Sequence, residues 1–243
     1  VIMLAGGTVE ARSGTLELQG FGGAPTSTGG SFVAANGATI LLTEQHYLKG
    51  TYTGSGLGTV QIGTTDSNYP SAVIRVDPTG ASFNFGDGLL HFVKGSIYSD
   101  NTPGLGYATL TNSGSITFDQ TGDNQIIISH LNLDNSGNII LANASGTRMF
   151  MPFSTINNSG TIDINQDSRL ISQYGSTIRN SGLLLKSAGT GVSTLGGVIM
   201  LAGGTVEARS GTLELQGFGG APTSTGSSFI AANGATILLT EQH

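Results

Sequence analysis

The chain of 243 residues is 37% hydrophobic and only 10% charged, which supplies enough apolar material for a continuous core and argues against disorder. Its 9 Lys+Arg against 15 Asp+Glu leave a formal charge of −6, so it carries no electrostatic footprint for nucleic acid. Cysteine is absent, which excludes disulfides, thiolate metal sites and cysteine nucleophiles, and no apolar run approaches the roughly 18 residues of a membrane-inserted helix.

The 39 glycines, with abundant Ser, Thr and Asn, suit short strands joined by tight turns. Gly and Asn accept positive φ, while Thr, Val and Ile fit a pleated surface. The opening residues Val1 to Ala5 have neither a basic start nor a cleavage site, so a targeting signal is expected outside this sequence. A glycine-marked turn first shows at Gly14, in Gly-Thr-Leu-Glu-Leu, and recurs in weaker form at Gly37, Gly58 and Gly80, at spacings of 23, 21 and 22. After Gly37 and after Gly80 the apolar phase slips by one residue. Such a slip exchanges core and solvent faces, so a different corner is expected in those rungs. Five of the six tyrosines, Tyr47, Tyr52, Tyr69, Tyr98 and Tyr107, fall in the segment from Tyr47 to Tyr107, which also holds a long insertion expected from Gly86 to Gly106.

The period is clearest in Leu110 to Phe118, Leu133 to Leu141, Ile156 to Ile164 and Ile178 to Leu184, where Asn-Ser-Gly recurs with its glycine at Gly114, Gly137, Gly160 and Gly182. Asn-Ser-Gly reads as a turn with a left-handed residue, and the apolar-polar alternation around it reads as strands. Strands are predicted over Asn138–Leu141, Arg148–Phe153, Thr155–Asn157, Thr161–Ile164, Arg169–Ser172 and Thr177–Arg179. That makes three short strands in each rung of about 22 or 23 residues. Stacked rungs would place Asn112, Asn135, Asn158 and Asn180 in an amide ladder at one corner. Two glycine intervals are longer than the rest, from Gly80 to Gly114 and from Gly182 to Gly211, and they read as rungs with inserted loops. Lys186 stands where other rungs have an apolar residue, which suggests that its rung is shifted.

A second, longer period encloses the first. Val1 to His46 recurs as Val198 to His243, differing only at Gly30/Ser227 and Val33/Ile230, so 46 − 2 = 44 positions agree and the repeat is 198 − 1 = 197 residues. The expected organisation is one complete solenoid unit over 1–197 and the start of the next tandem copy over 198–243. The expected fold is an all-β, right-handed parallel β-helix, or β-solenoid, because a single rung cannot bury its own core and must share it with neighbours.

The Leu/Ile-x-Asn-x-Gly-x-Ile pattern and the phrase Gly14-Thr15-Leu16-Glu17-Leu18, repeated at Gly211 to Leu215, resemble the repeat regions of large bacterial surface proteins. These are filamentous-haemagglutinin-like exoproteins, autotransporter passenger domains and giant adhesins. The resemblance implies export, an extracellular rod or fibre, a role in adhesion or cell-surface architecture, and no catalytic residue.

Acidic residues are the natural place to look for chemistry, since β-helical enzymes act on polysaccharides with clustered carboxylates or carboxylate-bound calcium. Asp119 and Asp123, in one corner loop, read first as solvated residues capping turn amides, with Asp163 and Asp167 in the like region two rungs on; calcium ligation by Asp119 and Asp123 is the alternative. Gly86-Asp87-Gly88 is a single copy of what would have to be a tandem calcium motif, and His46, His91 and His130 lack paired-ligand spacing. The tyrosines from Tyr47 to Tyr107 read first as rings that pack the insertion onto the solenoid wall, and otherwise as a candidate ligand surface, because exposed rings stack on sugars. The expectation is therefore a structural rod module with no cofactor, whose partners are further copies of itself head-to-tail. Glycan-binding adhesion is the alternative, and a polysaccharide lyase or hydrolase comes last.

Overall fold

The computed structural model describes residues 4–20, 26–69, 71–99, 106–120, 126–142, 148–217 and 224–241. Among them there are 25 strands and no helix. The first turns carry β1 (Thr8–Ala11), β2 (Thr15–Gln19), β3 (Gly30–Ala34) and β4 (Thr39–Thr43). They are followed by β5 (Gln45–Gly56), β6 (Thr59–Ile62), β7 (Ala72–Phe85), β8 (Leu90–Phe92) and β9 (Gly95–Ser99). The regular middle holds β10 (Ala108–Asn112), β11 (Ser115–Phe118), β12 (Ile126–Ser129), β13 (Leu131–Asn135), β14 (Asn138–Leu141) and β15 (Arg148–Pro152). It continues through β16 (Thr155–Asn158), β17 (Thr161–Ile164), β18 (Arg169–Gln173), β19 (Thr177–Asn180) and β20 (Leu183–Lys186). The chain ends on β21 (Val192–Leu201), β22 (Thr205–Ala208), β23 (Thr212–Gly217), β24 (Ser228–Ala231) and β25 (Thr236–Glu241).

Neighbouring strands are parallel and lie one turn apart in sequence, so the chain is a parallel β-solenoid with three faces. The first face runs β1-β3-β5-β7-β10-β13-β16-β19-β21, which is nine strands and therefore eight turns between β1 and β21. The second face is the ten-stranded sheet from β2 to β24. The third holds the first halves of β5, β7 and β21 with β9, β12, β15, β18, β23 and β25. Long strands round the corner between third and first faces without a break. β21, for example, pairs with β18 through Thr194–Gly196 and with β19 through Val198–Leu201.

Alternation explains the packing, because every second residue of each strand points inward and stacks on its counterpart one turn away. On the second face Ile116, Ile139, Ile162, Leu184 and Val206 form one buried column. Phe118, Leu141, Ile164, Lys186 and Ala208 form the column beside it. The rung of Lys186 is thus in register, not shifted. Its buried ammonium is tolerated because the aliphatic stem lies in the core while Nζ reaches the corner, donating to Asp167 Oδ1 and to Ser193 Oγ, both at 2.8 Å. The other oxygen of Asp167 accepts from the Gly191 N–H at 2.9 Å. The hydrogen bond from Lys186 holds the Asp167 carboxyl below the usual carboxylate range.

The predicted strands over 138–141 and 161–164 coincide with β14 and β17, and the other four agree with β15, β16, β18 and β19 to within one residue at an end. The different corner after Gly37 is also present: Ala38 is one extra corner residue, after which Ile40 stacks on Leu16 and Val60, and Leu42 on Leu18 and Ile62. Both long intervals, however, need correction. Gly80 lies inside β7 at another corner, and the glycines that follow Gly58 at the first-to-second corner are Gly86 and Gly88. Most of the expected insertion from Gly86 onward is therefore an ordinary rung carrying β8 and β9, and residues 100–105 lie outside the described residues. The column of Gly182 likewise continues at Gly204, whose Cβ would meet Gly182 O at 2.5 Å, while Gly211 belongs to the next corner beside Gly191.

The glycines of Asn-Ser-Gly also act differently from expectation. None of Gly114, Gly137, Gly160 and Gly182 has positive φ. They are required because the turns approach too closely for a side chain: a Cβ on Gly137 would sit 2.0 Å from Gly114 O, and one on Gly160 would sit 2.1 Å from Gly137 O. Gly160→Ala should therefore destabilise by about 1–3 kcal/mol through forced separation of the backbones. Gly86→Ala is the control, since Gly86 has no positive φ and a Cβ there meets nothing within 4 Å. It should be neutral or gain up to about 1 kcal/mol. Denaturant midpoints of the two variants check both outcomes.

Candidate functional site

Three sets of side chains stand out on this scaffold: the asparagine column, the aromatic residues at one corner, and a polar groove on the first face. In the column each asparagine side chain is buried. Asn112 Nδ2 donates to Asn135 Oδ1, Asn135 to Asn158 and Asn158 to Asn180, each at 2.7 Å. The same amides also donate to corner carbonyls, Asn135 to Gly137 O at 3.1 Å and to Thr161 O at 3.0 Å. All donors point the same way along the axis, an arrangement in which each bond polarises the next. Phe83 lies under Asn112 and Leu201 over Asn180, so apolar residues close the column at both ends. Asn112 Oδ1 has no hydrogen-bond partner among the described residues.

The five tyrosines do not form one surface. Tyr52 is 1% exposed and belongs to the core, where it packs with Phe32 and Phe83 in a cluster completed by Phe85. Its hydroxyl donates to Ser27 O at 2.8 Å, and burial pushes its pKa up to about 12. Gly54 makes room for this cluster, since a Cβ there would meet Phe85 Cδ1 at 2.5 Å. Tyr47 and Tyr98 flank Arg75 on the third face, with the guanidinium 4.5 Å and 5.3 Å from the two ring centroids. This is cation–π packing between successive turns. Tyr69 sits in the turn that opens at Asp66, its N–H donating to Asp66 O at 3.2 Å.

Tyr107 alone joins an aromatic row, and its companions are His130, Phe153 and Tyr174. The ring centroids are 5.3, 5.0 and 5.4 Å apart in that order, edge-on for the first pair and stacked for the other two. His130, Phe153 and Tyr174 have φ of 52°, 51° and 53°, a left-handed backbone that bulky residues rarely adopt. Such strain persists only where surrounding structure over-determines it, and stacked rings in successive turns do so here. The row ends on Tyr174, 69% exposed, because the next turn rounds this corner with Gly197 alone. Residues 107, 130, 153 and 174 follow the rung period, a signal present in the sequence, although all but Tyr107 lie beyond the segment where tyrosines cluster.

The polar groove runs along the outer side of the first face. Thr51, Ser82, Thr111, Asp134, Asn157 and Arg179 stack there in register over six successive turns. Asn157 Nδ2 donates to Asp134 Oδ1 at 2.7 Å. Two depressions of about 480 Å³ and 410 Å³ share Thr111 and make the groove continuous from Thr28 and Lys49 to Arg179 and Ala202. Hydroxyl, amide and single charged groups of both signs line it, chemistry suited to hydrogen-bonding a neutral polar chain.

Of the candidate calcium ligands, Asp123 lies outside the described residues, and Asp119 turns one oxygen to His91 Nδ1 at 2.7 Å. Among the described residues no group of three or more His, Asp or Glu is placed to hold a metal ion. The other nitrogen of His91 lies 3.0 Å from Gly88 O, so both ring nitrogens face acceptors and the imidazolium suits the site. Its pKa is raised, chiefly by the hydrogen bond to Asp119. His46 behaves oppositely: its Nε2 lies 2.9 Å from Thr43 O and 3.1 Å from Leu18 O, and burial lowers its pKa.

Compared with known proteins, the chain finds no match among family models, curated proteins or solved structures.

The column and the histidine pair can each be tested. Asn135→Ala, which breaks two links of the column, should cost about 1–3 kcal/mol, and Asn112→Ala less, because it breaks one link and removes an unpaired oxygen. Equal shifts in thermal midpoint would show that the column does not act as a chain. For His91, a folded pKa above the ordinary 6.5 means stabilisation that is complete below that value and is lost as pH rises through the raised one. The stability gap between wild type and His91→Gln should accordingly narrow as pH rises above 6.5, while the opposing contribution of His46 cancels between the two proteins.

Proposed function

We propose that the chain is a structural module of an extracellular rod or fibre at a bacterial cell surface, assembled from tandem β-solenoid units. One observation carries the reading: the duplicated segment pairs with itself identically in both copies. Thr8 lies opposite Ser31 as Thr205 lies opposite Ser228, and Thr15 opposite Thr39 as Thr212 opposite Thr236. A unit can therefore follow a unit with no change in local structure, and length grows with copy number. Further copies, in the same chain or head-to-tail, are the partners in this reading, and catalysis has no place in it. The resemblance to bacterial surface repeats supports the extracellular setting.

Adhesion to a glycan is the second reading, favoured by the exposed ring of Tyr174 and, separately, by the first-face groove of hydroxyl and amide groups. Electron microscopy of proteins with one, two and three units tests the first reading. Each unit should add about 40 Å, from a little over eight turns at about 4.8 Å each. Compact particles, or an added length far from that value, would sink it. A glycan array read in parallel decides the second: binding abolished by Tyr174→Ala at unchanged rod length supports adhesion, and absence of binding removes it.

A further inference from the structure

The two copies of the duplicated segment do not occupy the same side of the solenoid. Thr-Val-Glu-Ala forms β1 on the first face and β22 on the second. Thr-Leu-Glu-Leu-Gln lies in β2 on the second face and in β23 on the third. β3 and its equivalent β24 are on the first and second faces, and β4 and its equivalent β25 on the second and third. Since pairings within each copy agree, the second copy is the same structure carried forward by one face. Eight turns separate β1 from β21 on the first face, and β22 lies one face further on. The period of the duplication therefore winds eight turns and a third.

We infer that an array of this unit is a threefold screw. Each unit advances about 40 Å and turns by one face, roughly 120° of a three-sided section, so a given feature returns to the same side only after three units, about 120 Å. The inference rests on the reading of the chain as a unit of a tandem rod. The cover of the first copy's strands gives the geometry that a following unit repeats on β24 and β25. The equivalent strands β3 and β4 carry β5 and β6, with Gly30–Ala34 opposite Tyr52–Gly56 and Thr39–Leu42 opposite Thr59–Ile62. The same cover laid on β24 and β25 falls on the second and third faces. A whole-number winding would place every Tyr174 equivalent in one row down one side of the rod. The extra third distributes them over three sides, so a partner meets the exposed ring from any direction, and a bivalent partner on one side must span about 120 Å.

Absence of cysteine makes the phase directly measurable in the full chain. Leu183 and Thr205 face each other across β20 and β22, at the separation a disulfide accepts. Leu183→Cys with Thr205→Cys should cross-link on mild oxidation at least about tenfold faster than Thr177→Cys with Thr205→Cys, the pair that adjoins if the second copy returns to the first face. Cross-linking of the Thr177 pair, or of neither, would overturn the inference. Diffraction from an array of several units separates it from the reading on which it rests. An axial reflection near 40 Å with layer lines at orders of about 120 Å is expected. Layer lines only at orders of about 40 Å would overturn the screw and leave the rod standing, whereas no fibre at all would overturn the rod.

Discussion

Parallel strands about 4.8 Å apart place each side chain directly on its counterpart one turn away, and the rest of this structure depends on which side chains tolerate that spacing. Branched and aromatic hydrocarbons tolerate it inside, as in the column from Ile116 to Val206. Asparagine tolerates it because an amide is donor and acceptor at once and can satisfy its own kind above and below. Glycine is needed where backbone meets backbone: the chain of contacts from Gly114 to Gly182 leaves no volume for a methyl group. A charge is accommodated at Lys186, where the corner supplies Asp167 and Ser193 within reach of the ammonium.

Rung length, the strands of the regular middle and the asparagine column are legible in the sequence because each is a repeated spacing of one residue type. Corners are less so. Gly80 keeps the rung spacing from Gly58 yet sits at a different corner, because a three-sided turn offers three places for a glycine and spacing alone does not say which. The purpose of the Asn-Ser-Gly glycines is hidden for a related reason. Positive φ and close approach both select glycine, and only the position of the neighbouring turn tells Gly137, pressed on Gly114 O, from Gly37, left-handed with open space around it. Lys186 reads as out of phase because its partner Asp167 comes from the preceding turn, and no local pattern connects the two.

Aromatic residues show the same limit more sharply. Density along the chain points to the segment from Tyr47 to Tyr107, yet density in sequence is not proximity in a solenoid. Tyr52 is core, Tyr47 and Tyr98 pack on Arg75, and Tyr107 alone meets the ring row, through His130 one rung further on. The row, exposed at Phe153 and Tyr174, is built from single aromatics one rung apart, and left-handed backbone of the kind held by His130, Phe153 and Tyr174 costs of order 1 kcal/mol per residue. Stacking between Phe153 and Tyr174 offsets a similar amount, so the row is self-supporting only when successive turns contribute to it.

That identical sequence forms β1 on one face and β22 on another has a physical precondition. Each duplicated strand keeps the same partner and register within its own copy, so its conformation is set by neighbours along the axis more than by the face it belongs to. β1 and β22 keep the same inward residues, Ala11 and Ala208 both being buried, although they stand against different sheets. Three faces alike in strand length and spacing are thus interchangeable for a segment that carries its own corners with it. A repeat in such a scaffold need not close on a whole number of turns. It needs only to end where one strand stops and the next begins, and a unit of eight and a third turns meets that requirement as well as a unit of eight.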